Sequence, residues 1–190
     1  MQLVGVIELL GGVLAKPALS SLLAWTRIPA IDGKLLGQIM DTKRARFAAP
    51  IAFGDNWRGY PIVGTSPEFL AQTAFAPSEG RVFTRMLEAV VGARVDVALG
   101  EHVEPSHGMT VDAGEDAEHH GIEFEVVGRL APTGSPWDKA IIVPVEAVWW
   151  THALPTGHAE NDALLAALGN PNDAHPALEK FKIGGPWDEK

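Results

Sequence analysis

Cysteine is absent, which excludes disulfides, thiolate metal sites and cysteine nucleophiles and leaves the redox compartment open. Basic residues are few. Lys plus Arg number 15 against 24 Asp plus Glu, a formal net charge of −9. The single basic cluster is the short Lys43-Arg44-Ala45-Arg46. Nucleic-acid binding needs a broad Lys/Arg footprint to release counterions, so no nucleic-acid partner is expected. Polybasic attachment to anionic lipid is disfavoured for the same reason. Long hydrophobic runs are missing as well. The longest, Met1 to Ala15, carries Glu8 in its middle, and a membrane span needs about 20 apolar residues. No Lys or Arg precedes Lys16, so this stretch does not read as a signal peptide. There is no Gly-rich loop closed by Lys-Ser/Thr, hence no expected nucleotide chemistry. Neither Ser106 nor Ser135 stands in Gly-x-Ser-x-Gly, so no nucleophile elbow is written.

What remains is a globular composition. The 190 residues are 46% hydrophobic and 21% charged, with 20 Gly and 14 Pro. Mean hydropathy is +0.06, apolar for a soluble domain. This length fits one domain, or two lobes sharing a core. Leu3, Val6, Leu10 and Val13 have roughly helical spacing, weakened by Gly5, Gly11 and Gly12. Leu19 to Trp25 fits a strand or a short helix. Leu35, Leu36, Ile39 and Met40 share one helical face, with Asp32 as cap. Phe47–Phe53 and Trp57–Val63 read as a hairpin turning at Gly54-Asp55-Asn56, with Arg58, Tyr60 and Ile62 on one face of the returning strand. Ser66-Pro67-Glu68 opens a short helix.

Further on, Glu88 to Gly92 is a brief apolar run. Ala93 to Leu99 reads as a short helix closed by Gly100. Ile122, Phe124 and Val126 alternate with Glu123 and Glu125, which is strand grammar. A turn cluster over 131–136 precedes an apolar strand over 139–143. Pro144 then starts a helix with Val145, Val148, Trp149 and His152 on one stripe, and a further helix is expected over 162–168. Helices and strands mix without a βαβ rhythm, so the class is α+β.

Three phrases carry a family likeness. They are Phe47-Ala-Ala-Pro-Ile-Ala-Phe-Gly-Asp-Asn-Trp-Arg-Gly-Tyr-Pro-Ile-Val-Gly-Thr65, Gly80-Arg81 with Glu88-Ala-Val-Val-Gly-Ala-Arg-Val95 up to Gly100, and Phe124-Glu-Val-Val-Gly-Arg-Leu-Ala-Pro-Thr-Gly-Ser135 continuing through Asp138 to Ile141–Val145 and Val148-Trp149. In this order, over roughly residues 32–158, they resemble the extracytoplasmic (periplasmic) domain of FtsX-like, MacB/LolC-type ABC-transporter permeases. Residues 1–18 and the segment around 162–180 depart from that pattern. The resemblance implies one domain over residues 1–190, with a MacB-like periplasmic core: a porter-like α/β lobe and an inserted, mostly-β lobe. It implies a non-catalytic domain that contacts substrate or partner and transmits ATP-driven motion across the inner membrane. Its implied partners are a cytoplasmic ABC ATPase subunit, a second permease copy, and a periplasmic substrate or partner protein.

Chemistry-bearing residues concentrate in one patch. His102, His107, His119 and His120 are four of the seven histidines, and they lie among Glu101, Glu104, Asp112, Glu115, Asp116 and Glu118. Imidazole with carboxylate suits Zn²⁺ or a similar divalent ion, and the expected ligands are His107 with His119 or His120. The spacing matches no compact rule such as His-Glu-x-x-His, and the acidic run has ordinary loop composition. This gives the first alternative function, a divalent-metal-binding domain of a metal-linked transporter. The second is a free-standing hydrolase using Ser106 or Ser135 with a histidine and an aspartate. No other cofactor is expected. Six tryptophans stand against one tyrosine. Trp57, Arg58, Tyr60 and Trp150 are the candidate partner contacts, weighed against plain hairpin and helix packing.

Overall fold

The structure, a computed structural model, describes residues 2–9, 34–73, 75–107, 122–152, 154–168 and 180–187. Its elements in chain order are β1 (Gln2–Leu9), α1 (Lys34–Asp41), β2 (Ala45–Trp57), β3 (Tyr60–Thr65), α2 (Pro67–Gln72), β4 (Pro77–Gly80), β5 (Glu88–Val91), β6 (His102–Val103), β7 (Ser106–His107), β8 (Phe124–Leu130), a 3₁₀ turn (Pro136–Lys139), β9 (Ile141–Pro144), α3 (Val145–Thr151) and α4 (Ala159–Leu168). Among the described residues no helix is long and apolar enough to cross a membrane.

The strands join one mixed sheet in the order β1-β2-β3-β9-β5-β8-β4, with β6 on β8 and β7 on β2. The β3–β9 and β5–β8 pairs are parallel and the other pairs antiparallel. Alternation explains why both faces are covered. Ala52, Ile62, Ala89, Val91, Ile141 and Val143 face one apolar cluster, which includes Val145 and Val148 of α3. Ile51, Val63, Val90 and Ile142 face the other, with Phe69 and Leu70 of α2 and Trp137. The mixed helix-and-strand class expected from the sequence is therefore the observed one.

Glycine permits two close approaches. A Cβ on Gly64 would stand 2.7 Å from Val148 Cγ2 and 3.1 Å from the backbone of Val145, so β3 and α3 meet across a missing side chain. At Gly92 a Cβ would strike the backbone of Trp137 and Asp138.

Local signals held where short-range chemistry decides. α1 is helical as expected, with Leu36 and Ile39 of its stripe half-buried and Leu35 exposed. Ser66 caps α2, its Oγ accepting Phe69 N–H at 3.4 Å. β8 buries Phe124, Val126 and Leu130 and exposes Glu125. Three expectations are corrected. The helical spacing over residues 3–13 is a strand at Gln2–Leu9, antiparallel to β2. Its glycines cost a helix stability, and the open edge of β2 supplies a hydrogen-bonded partner.

The second correction moves the hairpin turn from Gly54-Asp55-Asn56 to Arg58-Gly59, with Trp57 opposite Tyr60. The expected turn is a register irregularity between Phe53 and Asn56 inside one long strand, and Arg58 is in the turn, not on the face of Tyr60 and Ile62. The third concerns 93–99, which is irregular and not helical. Arg129 of β8 donates to the carbonyls of Gly92, Val95 and Val97, and Arg94 N–H goes to Asp138 O at 2.7 Å. Those groups are taken by tertiary partners that a helix would have had to displace. Leu19 to Trp25, Asp32 and the acidic loop residues 112–118 lie outside the described residues.

Candidate functional site

Of the sequence-selected residues, Trp57, Arg58 and Tyr60 stand at the hairpin end of β2 and β3, and Ser106 and His107 on the strand laid beside it. Arg58 and Gly59 both have positive φ, 51° and 82°. This is the backbone of a two-residue turn whose twist matches the flanking strands. Asn56 Oδ1 accepts Gly59 N–H at 3.3 Å and closes it. The guanidinium of exposed Arg58 lies 4.3 Å from the centroid of the Trp57 ring, over its face. Trp57 and Tyr60, opposite each other, stack at 6.3 Å with 24° between planes. Both rings are half-buried against the α3-side cluster, so packing accounts for one side of each. Trp150 is half-buried against the same cluster, as is Trp149.

β7 is laid on the same end of β2. Ser106 pairs with Asn56 and His107 with Asp55. Ser106 Oγ donates to Asn56 O at 3.1 Å, and Asn56 Nδ2 donates to Ser106 O at 3.2 Å. This reciprocal tie fixes the register and uses the Ser106 hydroxyl proton on a carbonyl. The other candidate nucleophile, Ser135, sits in a turn ordered by Asp138. Its Oγ is 2.6 Å from Thr133 Oγ1, while Asp138 accepts from Thr133 N–H, Thr133 Oγ1 and Gly134 N–H at 2.7, 2.6 and 3.0 Å. Burial pushes the Asp138 carboxyl up, but the Thr133 and Gly134 donors outweigh it and hold the group below its usual range.

Asp55 and His152 were not singled out for chemistry. Asp55 is buried, and its Oδ1 lies 3.6 Å from Nε2 of His152, which ends α3. The His152 Nδ1 is 2.8 Å from Val148 O. A carbonyl only accepts, so Nδ1 carries the hydrogen and Nε2 faces the carboxylate. The Asp55 carboxylate raises the imidazole's pKa, burial opposes it, and the Val148 carbonyl adds to the rise. The sequence held one signal: His152 is the polar member of the stripe Val145, Val148, Trp149.

Of the expected metal ligands, His107 stands in β7 and His119 and His120 lie outside the described residues. His102 stands in β6, exposed and opposite Glu125, away from β7's pairing with β2. Among the described residues no three side chains of the metal-binding types converge. A second buried histidine–carboxylate pair joins the first turn of α3 to the residue before α4, with His158 Nε2 3.7 Å from Glu146 Oε1.

Neither a family model nor a curated relative matches this chain. Among solved structures it is similar to the extracellular domain of the noncanonic ABC-type transporter YknZ from Gram-positive bacteria. The identity is 12% and the TM-score 0.45, over 95% of this chain and 98% of that one.

Proposed function

We propose that this chain is the extracytoplasmic domain of an FtsX-like ABC-transporter permease and works without catalysis of its own. The observation that carries the reading is where the three resembling phrases fall. They supply β2, β3, β5, β8 and β9, and these strands are consecutive neighbours in the sheet, β2-β3-β9-β5-β8. Wording scattered over 47–145 thus belongs to one physical unit, the sheet with a covered face on each side.

Such a unit suits the transmission of motion. A close-packed sheet resists compression, so displacement at one end is carried as rigid-body movement and not absorbed locally. ATP-driven closure of a cytoplasmic ATPase subunit would shift the permease helices, and two copies of this domain would move relative to each other at the periplasmic side of the inner membrane. The hairpin tip, with Arg58 over Trp57 and Tyr60 behind it, is the surface we assign to a periplasmic substrate or partner protein. An arginine and two partly exposed rings on a pinned turn match what dominates binding energy at interfaces.

The test uses the intact gene, expressed with an affinity tag. Apolar segments of about 20 residues should flank this text, as a permease requires. Protease added to spheroplasts should cut within these residues before lysis, and the purified protein should retain an ATP-hydrolysing subunit. Cleavage only after lysis, or a reading frame without such segments, would overturn the proposal.

A further inference from the structure

The ring of His152 is set among oxygens. Nδ1 lies 2.8 Å from Val148 O and 3.1 Å from Thr151 Oγ1, and Nε2 lies 3.6 Å from Oδ1 of Asp55. Thr151 Oγ1 donates its own proton to Val148 O at 2.9 Å, so it too offers Nδ1 a lone pair. Each ring nitrogen therefore faces an acceptor. A neutral imidazole carries one N–H and one lone pair, and either tautomer turns that lone pair on an oxygen. Only the imidazolium donates on both sides. Asp55 keeps 2% of its side chain exposed, and a buried carboxylate that loses its counter-charge is costly.

The place of the pair in the fold gives the contact its reach. Asp55 lies in the register irregularity of β2 between Phe53 and Asn56, two residues before Trp57 and the hairpin turn. His152 caps the end of α3, two residues after Trp150. The contact thus joins two separate elements, each carrying a candidate partner residue.

We propose that Asp55 and His152 form a proton-operated latch: the doubly protonated imidazole holds the end of α3 to the hairpin end of β2, and loss of one proton releases the tip that carries Trp57, Arg58 and Tyr60. The latch rests on the contact itself, while what it would regulate rests on the reading of the tip as a docking surface.

The surrounding charges fix its direction. Asp55 raises the ring's pKa above the ordinary 6.5, burial opposes, the Val148 carbonyl adds to the rise, and the amino terminus ahead of β1 lowers it least of all. On β7, His107 stands opposite Asp55 in register, and exposed Arg58 in the turn lies over Trp57. On α3 the charged residue is Glu146, engaged at the far end by Gly184 and Trp187. A histidine raised in the folded state contributes stability below its unfolded value of about 6.5, and this is lost as pH rises through the folded value. The latch is accordingly shut in acid and opens toward alkaline pH.

The test is a pH titration of the chain by NMR, reading the histidine rings together with the Trp57 indole N–H and the backbone amides of residues 56–60. The His152 ring should titrate above 6.5, and the tip signals should move with the same midpoint. In Asp55→Asn the His152 midpoint should fall, because the charge that raises it is gone. In His152→Gln the tip signals should lose the transition, while exposed His102 keeps its own. The unaltered chain decides the matter even where a variant fails to fold. A His152 midpoint at or below 6.5 overturns the latch. So do tip signals that stay constant across that midpoint, or that follow His107 instead. None of these readouts involves a partner, so failure of the transporter reading leaves them standing.

Discussion

The indole Nε1–H of Trp187 donates to Oε1 of Glu146 at 2.7 Å, and the same oxygen accepts Gly184 N–H at 2.9 Å. Glu146 lies fully buried in the first turn of α3, and the bond fastens residues 181–187 onto the α3 face of the sheet. Trp187 also meets Trp149 edge-to-face at 6.3 Å and 71°. Gly157 leaves room for this, since a Cβ there would be 2.7 Å from Trp187 Cδ1 and its φ is +79°. Trp187→Phe keeps an aromatic ring but removes the donor. It should cost about 1–3 kcal/mol, the range for leaving a buried acceptor short of a partner. Urea unfolding checks this, and a loss near zero would show that the bond adds nothing net.

Glu88 gives a pH prediction. Its carboxylate accepts from Arg81 Nη1 and Nη2 at 2.7 and 2.5 Å, and from Thr84 N–H and Arg85 N–H at 2.8 and 3.1 Å. Burial pushes the carboxyl's pKa up, but the Arg81 hydrogen bonds, the two backbone donors and the Arg81 charge together hold it below its usual value. A carboxylate depressed in the folded state contributes stability above its unfolded pKa, about 4.3. That contribution is lost as pH falls through the folded value. Glu88→Gln should therefore lower stability at pH 7 by about 1–3 kcal/mol and flatten the fall of stability below pH ~4. Unfolding curves for both proteins at pH 7, 5, 4 and 3 compare the slopes, and parallel curves would contradict the assignment.

The hairpin tip sets two effects against each other. Arg58 holds a left-handed backbone at φ 51°, which costs an L-residue about 1–2 kcal/mol and costs asparagine less. Its guanidinium regains about 0.5–1 kcal/mol over Trp57. Arg58→Asn should then be neutral or stabilising by up to about 1 kcal/mol, measured by thermal unfolding. Because the fold survives, any loss of partner binding in this variant reports on the surface itself.

Gly92→Ala should be among the most damaging single changes. Its N–H donates to Ala140 O at 2.8 Å, and an added Cβ would meet backbone of Trp137 and Asp138, which cannot rotate away as a side chain could. The cost should reach about 1–3 kcal/mol or more, by overpacking. Soluble yield and melting temperature check it, and a protein as stable as the unaltered chain would show that this contact relaxes.

The sequence alone determined what depends on near neighbours. The alternation of Phe124 and Val126 with Glu125 and the stripe Val145, Val148, Trp149 follow from a period of two or 3.6 residues along the chain, and the Ser66 cap before Pro67 from a bond its side chain makes three residues on. The apolar run over 141–143 named a buried strand for the same reason. Only tertiary structure decided the rest. Gly54-Asp55-Asn56 has turn composition, yet the pairing of β2 with β1, β3 and β7 holds it extended and moves the turn to Arg58-Gly59. Residues 93–99 have helical composition, yet Arg129 from β8 occupies carbonyls there. Asp55 and His152 are 97 positions apart and carry no shared motif, because what joins them is α3 packing on β2 at a spacing the chain's own period does not encode. Periodicity records which face a residue takes, while the partner on that face is chosen by which strands find one another.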